Sequence, residues 1–150
     1  MKIKTTLNLG CGTNRTKNSI GVDKVLLPNV NKVHNLNQFP YPFKNNFADE
    51  VYLSHILEHL DNPIRVLEEV WRISKLKAKI IITTPHYSGN SAWIDITHKR
   101  AFSYLTFDNL LKERNYYLKK SQFKILKKKL IYSNKKDKFP IKAIGIFIQP

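Results

Sequence analysis

Residues 54–60, SHILEHL, set His55, Glu58 and His59 in an H-x-x-E-H pattern. On a helix that spacing is the zinc and general-base arrangement of the inverted zinc proteases. His55 and His59 would share one helical face, but a catalytic zinc also needs a third ligand and an open position. Glu68 and Glu69, about ten residues on, are candidates on paper only. The segment directly follows a strand, where His55 is better explained as a cleft residue. The expectation is that the match is coincidental and that no metal is bound.

A second chemical signature is LNLGCGTN (7–14), a strand running into a Gly-x-Gly turn. Gly10 and Gly12 allow a sharp bend and bring bare backbone against a ligand. The third glycine of the dinucleotide fingerprint is missing, since Thr13, Asn14 and Arg15 follow. A ligand without a pyrophosphate is therefore expected. Asp23, at the end of the next strand in GVDKV, can accept two hydrogen bonds from a ribose diol. A third group lies in 85–100, where His86, Tyr87, Trp93, Asp95, His98, Lys99 and Arg100 follow an apolar strand. Loops at strand ends carry function in open α/β sheets. His86 or His98 can act as proton acceptor near neutral pH, and Lys99 and Arg100 can bind an anionic group. Tyr87 and Asp95 complete the candidate acceptor site. The structural alternative is a turn at THKR in which Asp95 pairs with Arg100 and Trp93 packs in the core.

The elements that must position these groups alternate in type. Strands are predicted at 3–9, 19–25, 30–36 and 49–54 from short β-branched runs closed by turn residues. The period then changes, and IRVLEEVWRIS places Ile64, Leu67, Val70 and Trp71 on one helical stripe, capped by Asp61 or Asn62 with Pro63 in its first turn. AKIIITTP (78–85) reads as a strand buried on both faces of a parallel sheet. TFDNLLKERN predicts a helix capped by Thr106, and QFKILKKKLIYS and IKAIGIFIQ predict two antiparallel strands. Only about ten residues, Gly10 to Ser19, separate the first two strands, fewer than a crossover helix needs. Either the first helix is reduced to a turn or the strand assignment fails there. The reading is one α/β domain over residues 1–150, with a mostly parallel, Rossmann-like sheet of about seven strands.

LNLGCG, GVDKV, the long segment HNLNQFPYPFKNNFADEVYLSHILEHLDNPIRVLEEVWRISK and IIITTPHYSGNSAWIDITHKRAFS together resemble a class I S-adenosylmethionine-dependent methyltransferase. The likeness is to the small, type 11-like branch and spans roughly residues 5–110. It implies a Rossmann-like sheet with a reduced first helix, S-adenosylmethionine as cofactor and S-adenosylhomocysteine as product. It also implies that Gly10, Cys11 and Gly12 pass beneath the methionyl part. Asn8 stands where many relatives carry an acidic residue, Asp23 would hold the ribose, Asn35 and Leu36 would border adenine, and Ser54 and His55 would line the cleft. SKLKAK replaces the usual Pro-Gly-Gly turn. The implied reaction is methyl transfer to an oxygen or nitrogen of an unidentified, small acceptor. No long helix precedes the first strand, so a homodimer or the 85–105 loop is expected to supply a lid.

Composition bounds the alternatives. The net charge of +15 invites a nucleic-acid reading, but 21 of the 26 basic residues are lysines, the bias of an AT-rich coding sequence. Much of this charge lies after residue 112, and exposed Tyr116, Tyr117 or Tyr132 beside clustered lysines would favour a nucleic-acid-binding module on the same fold. Lysines on edge strands also hinder sheet-to-sheet aggregation. No apolar run reaches the roughly 20 residues of a membrane helix, and the N-terminus lacks a secretory pattern. One cysteine, Cys11, suits a reducing cytoplasm.

Overall fold

The computed structural model describes residues 4–111, 118, 121–133 and 141–150. Seven strands form one sheet: β1 (Thr6–Leu9), β2 (Ile20–Asp23), β3 (Lys32–Val33), β4 (Ala48–Ser54), β5 (Ser74–Pro85), β6 (Lys124–Tyr132) and β7 (Ile141–Gln149). Their order is β3-β2-β1-β4-β5-β7-β6. The first five are parallel, and β7 runs antiparallel to both β5 and β6. Strand order reverses between β1 and β4, the switch point at which open α/β sheets form their ligand crevice.

The register decides which residues meet there. Leu9 pairs with Val22 on one side and Leu53 on the other, and Leu53 pairs with Ile82. Gly10, Asp23, Ser54 and Thr83 are the next residues, so all four reach the same carboxyl edge. The aligned rows Leu7–Val51–Ile80–Ile148 and Leu9–Leu53–Ile82–Ile146 are fully buried and form the core with helix α1 (Pro63–Ile73). Asn62 caps α1 by accepting a hydrogen bond from the Arg65 amide at 3.1 Å, with Pro63 in the first turn.

Several expectations need correcting. The buried stripe of α1 is Val66, Leu67, Val70 and Ile73, whereas Trp71 is 37% exposed. Val66 and Ile73, outside the predicted stripe, are fully buried in the core. β5 begins at Ser74, immediately after α1, with Lys77 at φ +65° and an irregular register opposite Ala48 and Glu50 taking the place of a glycine turn. Nor is β5 buried on both faces: Ile80 and Ile82 are sealed, but Ile81 and Thr83 are half-buried, as are their neighbours Tyr52 and Phe147. No helix lies between β1 and β2, or between β2 and β3, so that face lacks the usual cover. β3 shrinks to two residues. Helix α2 (Thr106–Leu110) contains Thr106 rather than being capped by it, and the Thr106 hydroxyl accepts from the Ser103 amide at 2.9 Å. The predicted helix beyond residue 111 and Tyr116 and Tyr117 lie outside the described residues.

The short β1–β2 link holds together through polar side chains. Arg15 donates to the Ser19 carbonyl at 3.1 Å, Asn29 donates to the Thr13 carbonyl at 2.6 Å, and Asn31 accepts from the Gly21 amide at 2.9 Å. These bonds satisfy backbone groups that a helix would otherwise have paired internally.

Candidate cofactor cleft and acceptor-side segment

At the carboxyl edge Gly10 adopts φ +68° and Gly12 φ +50°, left-handed conformations that cost a side chain energy. A Cβ at Gly10 would lie 2.4 Å from the Ile56 side chain, so backbone and isoleucine are in direct contact. A Cβ at Gly12 would meet nothing within 4 Å, leaving open space above the peptide. The Gly10 and Cys11 amides both donate to the Val22 carbonyl, at 2.8 and 3.1 Å, pinning the bend against β2. The Gly12 amide donates to Asp23 Oδ2 at 2.9 Å, and Val25 donates to Asp23 Oδ1 at 3.2 Å. A carboxylate has about four acceptor sites, so Asp23 retains capacity for two hydroxyls.

Gly10 and Asp23 line one cleft of about 140 Å³ together with Asn35, Leu36, Ile56 and His59. The wall opposite β1 is fixed from below: Tyr41 donates its hydroxyl to the Leu36 carbonyl at 2.9 Å, and Asn35 Oδ1 accepts from the Asn37 amide at 3.0 Å. Asn37 in turn accepts from the Asp61 amide at 2.9 Å, tying this wall to the segment after β4. Lys24, Asn37 and Leu60 complete the lining. These residues and Ile56 escaped the sequence reading, and His59 entered it only through the metal-like motif. Ile56 and Leu60 carried only an apolar pattern, but Lys24 could have been suspected as the neighbour of Asp23.

Other chosen residues stand apart from the cleft lining. Cys11 is buried, and burial, with Asp23 as a lesser cause, pushes its thiol up, so it is a neutral packing group. Asn8 is also buried; its amide donates to Thr16 Oγ1 at 3.1 Å while its Oδ1 has no partner. Ser54 and His55 are exposed at the end of β4, and His55 turns the chain at φ +52° with its amide on the Thr83 carbonyl at 2.8 Å.

After β4 comes a short 3-10 helix, Leu57–His59. The THKR segment is strapped onto it. The Arg100 guanidinium donates to the carbonyls of Leu57, Leu60 and Asp61, Lys99 pairs with Asp61, and the Lys99 amide donates to the Glu58 carbonyl at 2.8 Å. Arg100 therefore does not pair with Asp95. Asp95 instead accepts from the Thr97 amide and hydroxyl, at 2.8 and 2.7 Å. Trp93 is 68% exposed rather than core, with its indole N–H on the Tyr87 carbonyl at 2.7 Å. Tyr87 is exposed too.

The two histidines of this segment differ in chemistry. His86 is buried, and burial holds its imidazole below the usual value of 6.5. Its Nδ1 accepts from the Ser88 amide at 3.3 Å and lies 2.7 Å from the Ser88 hydroxyl, which places the neutral ring's proton on Nε2. His98 is the reverse. Its Nδ1 donates to the Ala92 carbonyl at 3.0 Å, and its Nε2 lies 3.9 Å from Asp95 Oδ2.

Comparison with known proteins bears on the fold. Residues 11–82 match the family model described as a methyltransferase domain. An S-adenosylmethionine-dependent methyltransferase from Archaeoglobus fulgidus superposes with a TM-score of 0.68, at 21% identity over 98% of this chain and 86% of that one. The chain has the fold of the class I S-adenosylmethionine-dependent methyltransferases. A methyltransferase from Methanosarcina mazei shows the same class I fold, with a TM-score of 0.68 at 14% identity, covering 99% of this chain and 93% of that one. So does the [4+2]-cyclase SpnF, with a TM-score of 0.68 at 12% identity, covering 97% and 74%. The reaction its name gives is a cyclisation, and a class I fold by itself leaves the reaction open. No curated protein sequence matches the chain. Among the described residues no helix is long and apolar enough to cross a membrane.

Proposed function

We propose that this chain binds S-adenosylmethionine and transfers its methyl group to an oxygen or nitrogen of a small acceptor in the cytoplasm. The observation carrying the reading is that Gly10 and Asp23 line one cleft, with Asn35 and Leu36 in its wall. The open space over Gly12 and the free acceptor capacity of Asp23 fit an adenosyl nucleoside. In this reading Asp23 accepts from the ribose hydroxyls, Asn35 and Leu36 flank adenine, and Gly10–Gly12 offer bare backbone. Asn8, Cys11, Ser54 and His55 support the cleft from its edges.

When bound, the cofactor supplies an electrophilic methyl group on a sulfonium, with a neutral thioether as leaving group. The protein's part is to align an acceptor, exclude water and receive a proton where the acceptor is a hydroxyl or amine. His86 and His98 are the proposed proton acceptors. Tyr87, Asp95 and Lys99 stand on the same segment as acceptor contacts. Arg100 belongs with them, acting through the strap it forms on the 3-10 helix. A second copy of the chain is the proposed cover for the cleft.

Calorimetric titration with S-adenosylhomocysteine tests the reading. Wild type is expected to bind at micromolar concentration, and Asp23→Ala and Gly12→Val to lose about tenfold or more. Equal binding by all three proteins would place the cofactor elsewhere. The nucleic-acid alternative has weaker support: Lys128 on edge strand β6 is engaged by Asp108 and the Tyr104 ring, and Tyr132 is half-buried.

A further inference from the structure

Glu58 is 1% exposed, and neither carboxylate oxygen has a hydrogen-bond partner. His55 Nδ1 lies 3.6 Å from Glu58 Oε1. A buried carboxylate left this way is costly unless something positive occupies the site. One oxygen of Glu58 and one ring nitrogen each from His59 and His98 lie within 4.8 Å of one another. We propose that Glu58, His59 and His98 form a binding site for a divalent transition cation of the zinc class, beside the cofactor cleft.

The hydrogen bonds around the trio support a ligand set. His98 Nδ1 donates to the Ala92 carbonyl at 3.0 Å. His59 Nδ1 lies 2.9 Å from the Thr97 hydroxyl, and that hydroxyl donates to Asp95 Oδ1 at 2.7 Å. Thr97 therefore accepts from His59, so both rings carry a proton on Nδ1 and have Nε2 left for a cation, that of His98 lying 3.9 Å from Asp95 Oδ2. Ligating histidines are held in this way by a carbonyl or a carboxylate relay on the other nitrogen. The rings pack edge to face with centroids 4.6 Å apart, which keeps the two nitrogens close. Two imidazoles and one carboxylate suit zinc, cobalt or iron(II) and leave a coordination position open. Ligand atoms around a tetrahedral zinc sit roughly 3.3 Å apart, so no pair of the trio has more than about 1.5 Å to close on binding.

The backbone is built for this. The donors come from two segments far apart in sequence, and the Lys99 amide on the Glu58 carbonyl and Arg100 on three carbonyls fasten those segments together. The metal-like motif in the sequence is thus half right: Glu58 and His59 serve, but His98 replaces the expected partners. His55 lies before the 3-10 helix, and Glu69 is held by Arg72 at 2.7 Å and by the Tyr41 amide at 2.7 Å. His59 belongs both to the trio and to the cleft wall. With a cation bound, His98 Nε2 is no longer free to take an acceptor's proton, so the two roles are alternatives.

The test is titration of metal-stripped full-length protein with Co²⁺, followed by its visible ligand-field absorption, then displacement by Zn²⁺. Wild type is expected to take one equivalent. Glu58→Gln, His59→Gln and His98→Gln should bind about tenfold or more weakly, while His34→Gln, outside the trio, binds as wild type. His59 is only partly buried, so its variant carries the least threat to folding, and circular dichroism checks that it is folded. Zn²⁺ should raise the melting temperature of wild type but not of His59→Gln. No Co²⁺ spectrum in wild type, or the same affinity in folded His59→Gln, would overturn the site. Neither measurement uses S-adenosylmethionine, so its failure leaves the cofactor reading standing.

Discussion

At the residue scale, Gly10 and Gly12 look alike in sequence and act differently in the fold. Both need a left-handed backbone, but only Gly10 touches another side chain. Gly10→Ala should combine strain of about 1–2 kcal/mol with overpacking of about 1–3 kcal/mol against Ile56. Gly12→Ala should cost only the strain and instead fill space over the candidate cofactor. Urea denaturation should therefore rank Gly10→Ala as the less stable variant. Equal stability would mean that Ile56 yields and does not define the cleft floor. No pattern of residues could separate the two glycines, because the distinguishing contact comes from a residue beyond β4.

At the scale of elements, SHILEHLD and THKR read in the sequence as two motifs and form one unit in the molecule. Arg100 supplies three donor contacts to carbonyls of a short 3-10 helix and its exit, and of these only the Leu57 carbonyl has a partner within the helix. Arg100→Lys keeps the charge but loses the planar fork. It should cost about 2 kcal/mol, since hydrogen bonds to a charged donor contribute about 1.5–3 kcal/mol. Amide exchange of Lys99 should quicken more than that of β5 residues. Unchanged exchange at Lys99 would show that the strap does not depend on Arg100. The sequence marked Arg100 as a candidate anion ligand because its guanidinium stood in a loop. Only tertiary contact gave the carbonyls it spends itself on.

At the scale of the whole molecule, stability should depend on pH through His86. Burial lowers its folded pKa below the value of 6.5 that it has when unfolded. The unfolded chain therefore binds more protons in that window, and stability rises with pH. The contribution is complete above pH 6.5 and is lost as pH falls through the folded value. Guanidinium denaturation from pH 5 to pH 7 should show a positive slope in wild type that flattens in His86→Gln. The same slope in both proteins would assign the dependence to other groups. The molecule's other large-scale feature is the half-covered sheet face carrying Tyr52, Ile81 and Phe147. Among the described residues, the β1–β2 and β2–β3 links hold no helix that could cover it.

What the sequence determined alone was the order of strands and helix, the glycine bend and the acidic strand end. Those signals are local: β-branched runs, a Pro-led helix start and Gly-x-Gly each act within a few residues. The short β1–β2 spacing left two outcomes open, a first helix reduced to a turn or a failed strand assignment, and the fold has the former. Tertiary structure decided what local pattern cannot encode. It chose which face of α1 is buried, left Trp93 exposed, turned Arg100 inward and drew Glu58, His59 and His98 together across some forty residues of chain. Those outcomes depend on where separate segments cross, and packing fixes that geometry only once the sheet register has been set.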